Sequence, residues 1–194
     1  MDERFSVGAL VELVHRYYPA GLYADDPRYR ASEQHPRLEA ARRAAQEDDS
    51  AWRNFLQRIR EELPGSSLWD VSGPRELYDP SRRVRVYLPD AQGPEGERRA
   101  LVVAVSILAP VHLLYASREW AVHEEKTDSE VWFPPLPSEF RTYEDKLDAL
   151  VQDSCGSARL PNELLLTPVP DLQVGNIDLG KARLLHCLFT DDIW

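Results

Sequence analysis

Apolar residues near the start of the chain recur at intervals of three and four, the spacing of a helix with one buried face. The segment FSVGALVELVHR (5–16) predicts a first helix with Ser6 in the N-cap position. Residues 36–63 predict further helix, ended by Pro64 and Gly65, and the polar run at 47–50 favours a division into two helices. The first third of the chain is therefore predicted to be mainly helical.

From residue 66 the pattern changes to an alternation of apolar and polar residues, which is typical of β-strands with one buried face. In RRVRVYLP (82–89), Val84 and Val86 point to one side while Arg83 and Arg85 point to the other. The segment RALVVAVSIL (99–108) is almost entirely apolar, which favours a central strand buried on both faces. Together with SLWDVS (67–72) and VHLLYASREW (111–120), these segments predict an antiparallel meander.

Beyond residue 120 the pattern becomes mixed. The segment AVHEEKTDSEVWFPPLP (121–137) predicts a long irregular connection, and SEFRTYEDKLDALVQDS (138–154) predicts an amphipathic helix capped by Ser138. The prolines in TPVPDLQV (167–174) limit it to an edge strand, and ARLLHCLFT (182–190) predicts a final strand. On that strand the adjacent His186 and Cys187 would point to opposite faces.

The order of these elements predicts one α+β domain over residues 1–194. It would be mainly helical over 1–65 and form antiparallel strands over 66–120, with an acidic loop, a helix and a C-terminal strand over 121–194. We expect an antiparallel sheet of about five strands that carries helices mainly on one face. A chain of 194 residues can bury a core of ordinary size without disulfide or metal support.

Charge and hydropathy exclude several classes of protein. The net charge is −10 and no basic patch with interleaved aromatic residues is present, which argues against nucleic-acid binding. The longest apolar segment, ALVVAVSILAPV (100–111), is too short for a membrane-spanning helix of about 20 residues. The acidic N-terminal residues do not fit a signal peptide, so we expect a cytoplasmic protein without a membrane partner.

Catalytic and metal-binding signatures are weak throughout. No nucleophile motif, phosphate-binding glycine loop or pair of ligands at zinc spacing occurs, so we assign no catalytic residue, no metal site and no cofactor. Cys155 follows a helix rather than preceding one, which disfavours the thiolate, and Cys155 and Cys187 are expected to be reduced. The alternatives are a disulfide between the two cysteines, and a small hydrolase or transferase that uses Cys155 or a histidine.

Surface recognition is the better-supported class of function. The segment HEEKTDSEVWF (123–133) combines acidic side chains, which attract a basic partner, with aromatic side chains that anchor it. The alternative is a solvated acidic face with its aromatic residues folded inward. The residues that we expect to contact a partner here are Glu124, Glu125, Asp128, Glu130 and Trp132.

The last residues, LLHCLFTDDIW (184–194), allow two interpretations. Ile193 and Trp194 can pack onto the body as a latch, with Asp191 and Asp192 in the turn before it. In the other interpretation Asp191, Asp192 and Trp194 belong to the surface that contacts the partner. We include these three residues among the expected contacts.

Two stretches, VVAVSILAPVHLLYAS (102–117) and VPDLQVGNIDLGKARLLHCLFTDDIW (169–194), resemble immunity proteins of bacterial polymorphic-toxin systems. The likeness is strongest over roughly residues 100–120 and 168–194. It implies a small acidic α+β protein of the cytoplasm that binds a cognate toxin domain and blocks it. It carries over no contact residues and no catalytic residues. An adaptor or chaperone for a secreted effector is a third interpretation.

Overall fold

The computed structural model describes residues 5–72, 79–92, 97–123 and 126–193. Within these ranges the α+β class expected from the sequence is confirmed, with helices and one sheet in a single domain. Ser6 caps the first helix as predicted, because its Oγ accepts the Ala9 N–H at 3.3 Å. The α-helices are α1 (Val7–His15), α2 (Pro27–Arg30), α3 (Gln34–Glu47), α4 (Ser50–Glu62), α5 (Arg141–Cys155), α6 (Asn162–Leu165) and α7 (Leu184–Leu188).

The strands form an antiparallel meander in the order β1-β2-β3-β4-β5, and a short sixth strand runs parallel to the start of β4. One row of paired residues crosses all five strands: Leu68, Val86, Leu101, Ala116 and Trp132. The strands are β1 (Ser67–Asp70), β2 (Ser81–Gln92), β3 (Arg98–Ser106), β4 (Val111–His123), β5 (Lys126–Trp132) and β6 (Ala158–Arg159).

Both faces of the sheet are covered, which differs from the expected placement of helices mainly on one face. Successive residues of β3 alternate between two hydrophobic clusters, as the pleat of a strand requires. Leu101 and Val103 pack with α4 and α5, and we call this group the α4–α5 cluster. Val102 and Ala104 pack on the other side with α1, α6 and α7, and we call that group the α1–α7 cluster. β3 is therefore the buried central strand that its composition predicted.

The irregular connection predicted over 121–137 is wrong for residues 121–123 and 126–132, because β4 continues to His123 and β5 returns alongside it. Acidic residues and prolines lowered the strand signal of this segment. Charged side chains are nevertheless common on a strand at the edge of a sheet, where they discourage pairing with other chains.

The final strand predicted over 182–190 is also wrong, since Leu184–Leu188 is the helix α7. A short apolar run does not distinguish a strand from a buried helical turn, and here the apolar positions fit either period. His186 and Cys187 therefore do not lie on opposite faces of a strand. The edge strand considered for 167–174 is reduced to two isolated bridges, Pro168 with Arg183 and Val174 with Ile177.

The helix predicted over 138–154 is present, although Ser138 does not cap it. A 3-10 turn over Ser138–Phe140 precedes α5, and the N-cap residue of α5 is Phe140, which makes no side-chain capping bond. At the other end Gly156 adopts φ 62°, the left-handed conformation that commonly ends a helix. The predicted division of residues 36–63 is confirmed by the break between α3 and α4 at Asp48 and Asp49.

Candidate functional site

A cavity of about 440 Å³ lies beside the last described residues of the chain. Segments that are far apart in the sequence meet there: the α2–α3 region, the start of β2, the turn at Gly175 and Asn176, and the segment after α7. We call it the C-terminal cavity. The polar and aromatic side chains that matter for its chemistry are Tyr18, Tyr29, His35, Arg42, Asp79 and Asp191.

Asp191 is held rigidly at the cavity by the neighbouring turn. Its Oδ2 accepts the Asn176 backbone N–H at 2.7 Å and the Asn176 side-chain amide at 3.1 Å. Gly175 adopts φ +53°, and a Cβ placed on it would overlap the same Oδ2. A glycine is therefore required at residue 175 both for the backbone conformation and for the approach of the carboxylate.

Asp79 is the second carboxylate of the cavity, and its environment disfavours the ionised form. Burial raises the pKa of this carboxyl above its ordinary value, and the nearby Asp191 and Asp192 raise it further. Arg83, whose guanidinium lies 3.3 Å from Asp79 Oδ2, and the Thr190 hydroxyl act in the opposite direction without outweighing them. Asp79, Asp191 and Asp192 thus bring three acidic groups together at this end of the cavity.

Aromatic and basic side chains also line the cavity. Tyr29 and His35 meet edge to face with their ring centroids 5.9 Å apart, and the Tyr18 hydroxyl donates to the Cys187 carbonyl at 3.2 Å. Burial raises the pKa of both phenols, so they are neutral in the ordinary pH range. The Arg42 guanidinium is 2.8 Å from Glu39 Oε1, which offsets its charge.

The segment that carries Asp191 and Asp192 is fixed to the body. Ser81 Oγ donates to the Phe189 carbonyl at 2.6 Å, and the Arg83 guanidinium donates to the Asp192 carbonyl at 2.6 Å. Phe189 and Thr190 are buried, and Ile193 packs against the α1–α7 cluster. This supports the latch interpretation as far as Ile193, while the Asp192 side chain is exposed to solvent. Trp194 lies outside the described residues.

The structure describes only some of the acidic contacts predicted near β5. Glu124 and Glu125 lie outside the described residues, and the backbone alone is described for Asp128. Glu130 is exposed, whereas Trp132 is half-buried, with its ring 6.3 Å from Phe140 and the Arg118 guanidinium 5.1 Å above it.

The structure does not bring the two predicted groups of contacts together. Trp132 packs with the α4–α5 cluster, while Ile193 packs with the α1–α7 cluster on the opposite face of the sheet. Arg83 of β2 anchors the C-terminal segment. It pairs with Ala104 of β3, which pairs with Leu113 of β4. Trp132 is one strand farther and pairs with Ala116. Three strand spacings alone separate the groups by about 14 Å.

A histidine, an aspartate and a serine form a second polar group, between β4, α5 and the start of β6. His112 Nε2 lies 2.7 Å from Asp148 Oδ1, and its Nδ1 lies 3.1 Å from Ser157 Oγ. These are the residue types of a hydrolase triad, but His112 is fully buried and Ser157 is 3% exposed. A nucleophile must reach its substrate, so this arrangement joins three elements and offers no surface for catalysis.

Neither cysteine is suited to nucleophilic chemistry. Burial raises the pKa of the Cys155 thiol to about 11 and that of Cys187 to about 12, which keeps both protonated near neutral pH. Both are free thiols, so the disulfide considered from the sequence is not formed. Among the described residues, no three histidine, cysteine or acidic side chains cluster in a way that could hold a metal ion.

Sequence reasoning identified Asp191 but missed the rest of the C-terminal cavity. Asp79, Tyr29 and Arg42 are separated from Asp191 by more than half of the chain and belong to no motif. Only the run of tyrosines at 17–29 gave a signal, because tyrosines in a loop are typical of either a buried anchor or a binding surface.

Comparison with known proteins finds no matching family model, no matching curated protein and no matching solved structure. Within the described ranges, no helix has both the length and the apolar character needed to cross a membrane.

Proposed function

We propose that the protein is an immunity or antitoxin-like protein of the cytoplasm, which binds and neutralises a cognate toxin domain with a basic surface. One observation carries the proposal: the acidic side chains of Asp191 and Asp192 are presented on a segment that is fixed to the body of the protein. Arg83, Ser81 and Asn176 fix that segment through hydrogen bonds of 2.6 to 2.7 Å. A binding surface that is already ordered loses little conformational entropy when the partner arrives.

The overall charge supports the same proposal. A net charge of −10 accelerates encounter with a basic partner and repels acidic ones. A standard interface buries about 800 Å² on each partner, which is large enough to include the cavity, Asp191 and Asp192. Glu130 lies toward the other face and would contribute to encounter rather than to the same contact.

The chemistry of the buried groups favours binding over catalysis. The alternative hypothesis relies on Cys155 or a histidine, but the Cys155 thiol is protonated near neutral pH and His112 is enclosed between strand and helix. A transferase or hydrolase that used them would need both an accessible nucleophile and a neighbouring base. Cys155 is half-buried and protonated, and His112 is fully buried, so neither side chain meets both requirements.

The proposal can be tested by a genetic selection followed by measurements on the purified pair. Genomic fragments of the source organism are screened for products that stop growth when expressed alone and are tolerated when this protein is co-expressed. The expected result is a basic domain that forms a tight 1:1 complex with this protein, and whose association slows as salt is added. Protection by a protein that binds outside the toxic domain would instead identify an adaptor or chaperone.

Matched variants test the surface. Changing Asp191→Asn and Asp192→Asn together keeps the shape of both side chains and removes their charge. Association with the toxin should slow by about tenfold or more. The control is Asp145→Asn, which removes an exposed charge from α5 on the other face of the sheet. Equal association rates for the double variant and the control would contradict the assignment of this surface.

A further inference from the structure

We infer that the C-terminal cavity is a binding site for a guanidinium group, with the carboxylates of Asp79 and Asp191 as its acceptors and the rings of Tyr29 and His35 as its aromatic wall. This inference rests on the proposed function, since it identifies the kind of toxin side chain that would enter the site. It differs from that function in that a small probe can test the cavity without any toxin.

The size of the cavity suits one long side chain. Its volume of about 440 Å³ is within the range of about 300–1,000 Å³ that is usual for pockets that hold small ligands. The cavity is therefore wide enough for an arginine side chain inserted from outside.

The charge of the lining favours a cation over an anion. Arg42 is the basic lining residue, and its charge is offset by Glu39 at 2.8 Å. Arg83 offsets the charge of Asp79, so Asp191 of the lining and Asp192 just beyond it leave an excess of negative charge. His35 is the remaining titratable group of the wall, and it packs against Tyr29. A phosphate or carboxylate ligand would meet this excess of negative charge at close range.

Acceptor positions are also available for a donor-rich ligand. Both side-chain hydrogen bonds of Asp191 are accepted by Oδ2, so its Oδ1 has no hydrogen-bond donor among the described residues. A cation between the two carboxylates would also relieve the repulsion that Asp191 exerts on Asp79. The planar guanidinium group presents several N–H donors at fixed angles, which fits two separated carboxylates better than a single ammonium group does.

The aromatic wall also favours arginine over lysine. Guanidinium groups stack on aromatic faces and are less strongly hydrated than ammonium groups, so they lose less on entering a half-buried site. Tyr29 is 9% exposed and its ring is fixed by the edge-to-face contact with His35. The wall is therefore ordered before any ligand enters.

The test uses the ¹⁵N-labelled full chain with ethylguanidinium as the probe and ethylurea as a neutral probe of the same shape. Ethylguanidinium should produce saturable shifts of the Gly175, Asn176 and Asp191 amide signals, with a dissociation constant in the millimolar range, as expected for a very small ligand. Ethylurea should leave these signals unchanged at the same concentration. Butylammonium, the lysine-like probe, should bind more weakly than ethylguanidinium.

Two variants locate the site and one serves as a control. Asp79→Asn and Asp191→Asn should each weaken ethylguanidinium binding by about tenfold, because each removes one charged acceptor. Asp145→Asn should leave it unchanged. Because Asp79 also contacts Arg83, a failure of Asp79→Asn to fold would leave Asp191→Asn to decide. Shifts that do not saturate, or that persist in Asp191→Asn, would overturn the inference.

The two proposals can fail separately. If ethylguanidinium binds as expected and no toxin is neutralised, the cavity assignment stands and the proposed function fails. If a toxin is neutralised and Asp191→Asn binds both toxin and probe like the unchanged protein, the function stands and the cavity assignment fails.

Discussion

At the scale of single residues, burial determines the protonation state of the groups that could carry chemistry. Burial of Cys155 and Cys187 removes water that would solvate a thiolate, which raises the pKa of the two thiols to about 11 and about 12 respectively. For Asp79 the same cause acts on a carboxyl and is reinforced by neighbouring acids. Residue identity alone indicates none of these shifts.

The thiols should therefore react slowly with alkylating agents. At pH 7.5 the reaction of iodoacetamide with Cys155 in the folded protein is expected to be about 100-fold slower, or more, than with a free cysteine of pKa about 8.5. The rate should keep rising beyond pH 10. Mass spectrometry of samples quenched at intervals measures it, with the denatured protein as the control. A rate close to that of the denatured chain would contradict the assigned pKa and revive the nucleophile hypothesis.

The raised pKa of Asp79 predicts an unusual dependence of stability on pH. Its pKa in the folded protein is raised, so its contribution is fully present below the ordinary pKa of about 3.9 and is lost as pH rises through the folded value. Asp79→Asn should thus be at least as stable as the unchanged protein at pH 7. Urea unfolding at pH 3.5 and pH 7 provides the comparison. A large loss of stability at pH 7 alone would show that the pair with Arg83 outweighs burial.

At the scale of elements, one buried polar group joins three pieces of secondary structure. His112 on β4 bonds to Asp148 on α5 and to Ser157 just before β6. The strand β6 in turn pairs with β4 at His112. The side-chain bonds and the strand pairing thus fix the C-terminal end of α5 against the sheet. Leu147 and Val151 lie beside them and belong to the α4–α5 cluster. Full burial of one such apolar side chain stabilises a fold by about 1.5–3 kcal/mol.

Replacing the carboxylate of this group should destabilise the fold. Asp148→Asn is expected to cost about 1–3 kcal/mol at pH 7, because the buried His112 loses its charged partner. The bond to His112 lowers the pKa of Asp148, so its stabilising contribution is present above the ordinary pKa of about 3.9 and is lost as pH falls through the lower folded value.

Denaturant unfolding at pH 7 and at pH 3 measures the effect. The difference between the two proteins should shrink at the lower pH. Asp153→Asn, which changes an exposed acid on the same helix, serves as the control. A constant difference at both pH values would contradict the link to the ionisation of Asp148.

At the scale of the whole molecule, the N-terminal helix is tied to the C-terminal segments. His15 Nε2 lies 2.8 Å from Asp171 Oδ2, and the Gly21 N–H donates to the Asp171 carbonyl at 2.7 Å. Burial lowers the pKa of His15, but the bonds to the Val11 carbonyl and to Asp171 together outweigh burial and raise it overall. The two ends of the chain thereby enclose the α1–α7 cluster between them.

This tie should be stronger in mildly acidic solution. Because the folded pKa of His15 is raised, its contribution is fully present below about pH 6.5 and is lost as pH rises through the folded value. His15→Gln should cost less than about 1 kcal/mol, since both partners are partly exposed, and the cost should be larger at pH 5.5 than at pH 8.5. Thermal unfolding at both pH values tests this, and the opposite order would refute it.

The sequence by itself determined the class of the fold and most of its elements. Period-two alternation and, for β3, a continuous apolar run located β1 to β4, and spacings of three and four located α1, α3, α4 and α5, because the local pattern reflects which faces are buried. It did not distinguish strand from helix for the short apolar run that became α7, nor recognise β5 among acids.

Only the tertiary structure decided the candidate site. Asp79 and Asp191 are 112 residues apart, and no local pattern predicts that β2 and the segment after α7 meet around one cavity. The same holds for His112, Asp148 and Ser157, whose bonds depend on how α5 crosses β4. Side-chain chemistry at such sites is set by long-range packing, which a pattern along the chain does not contain.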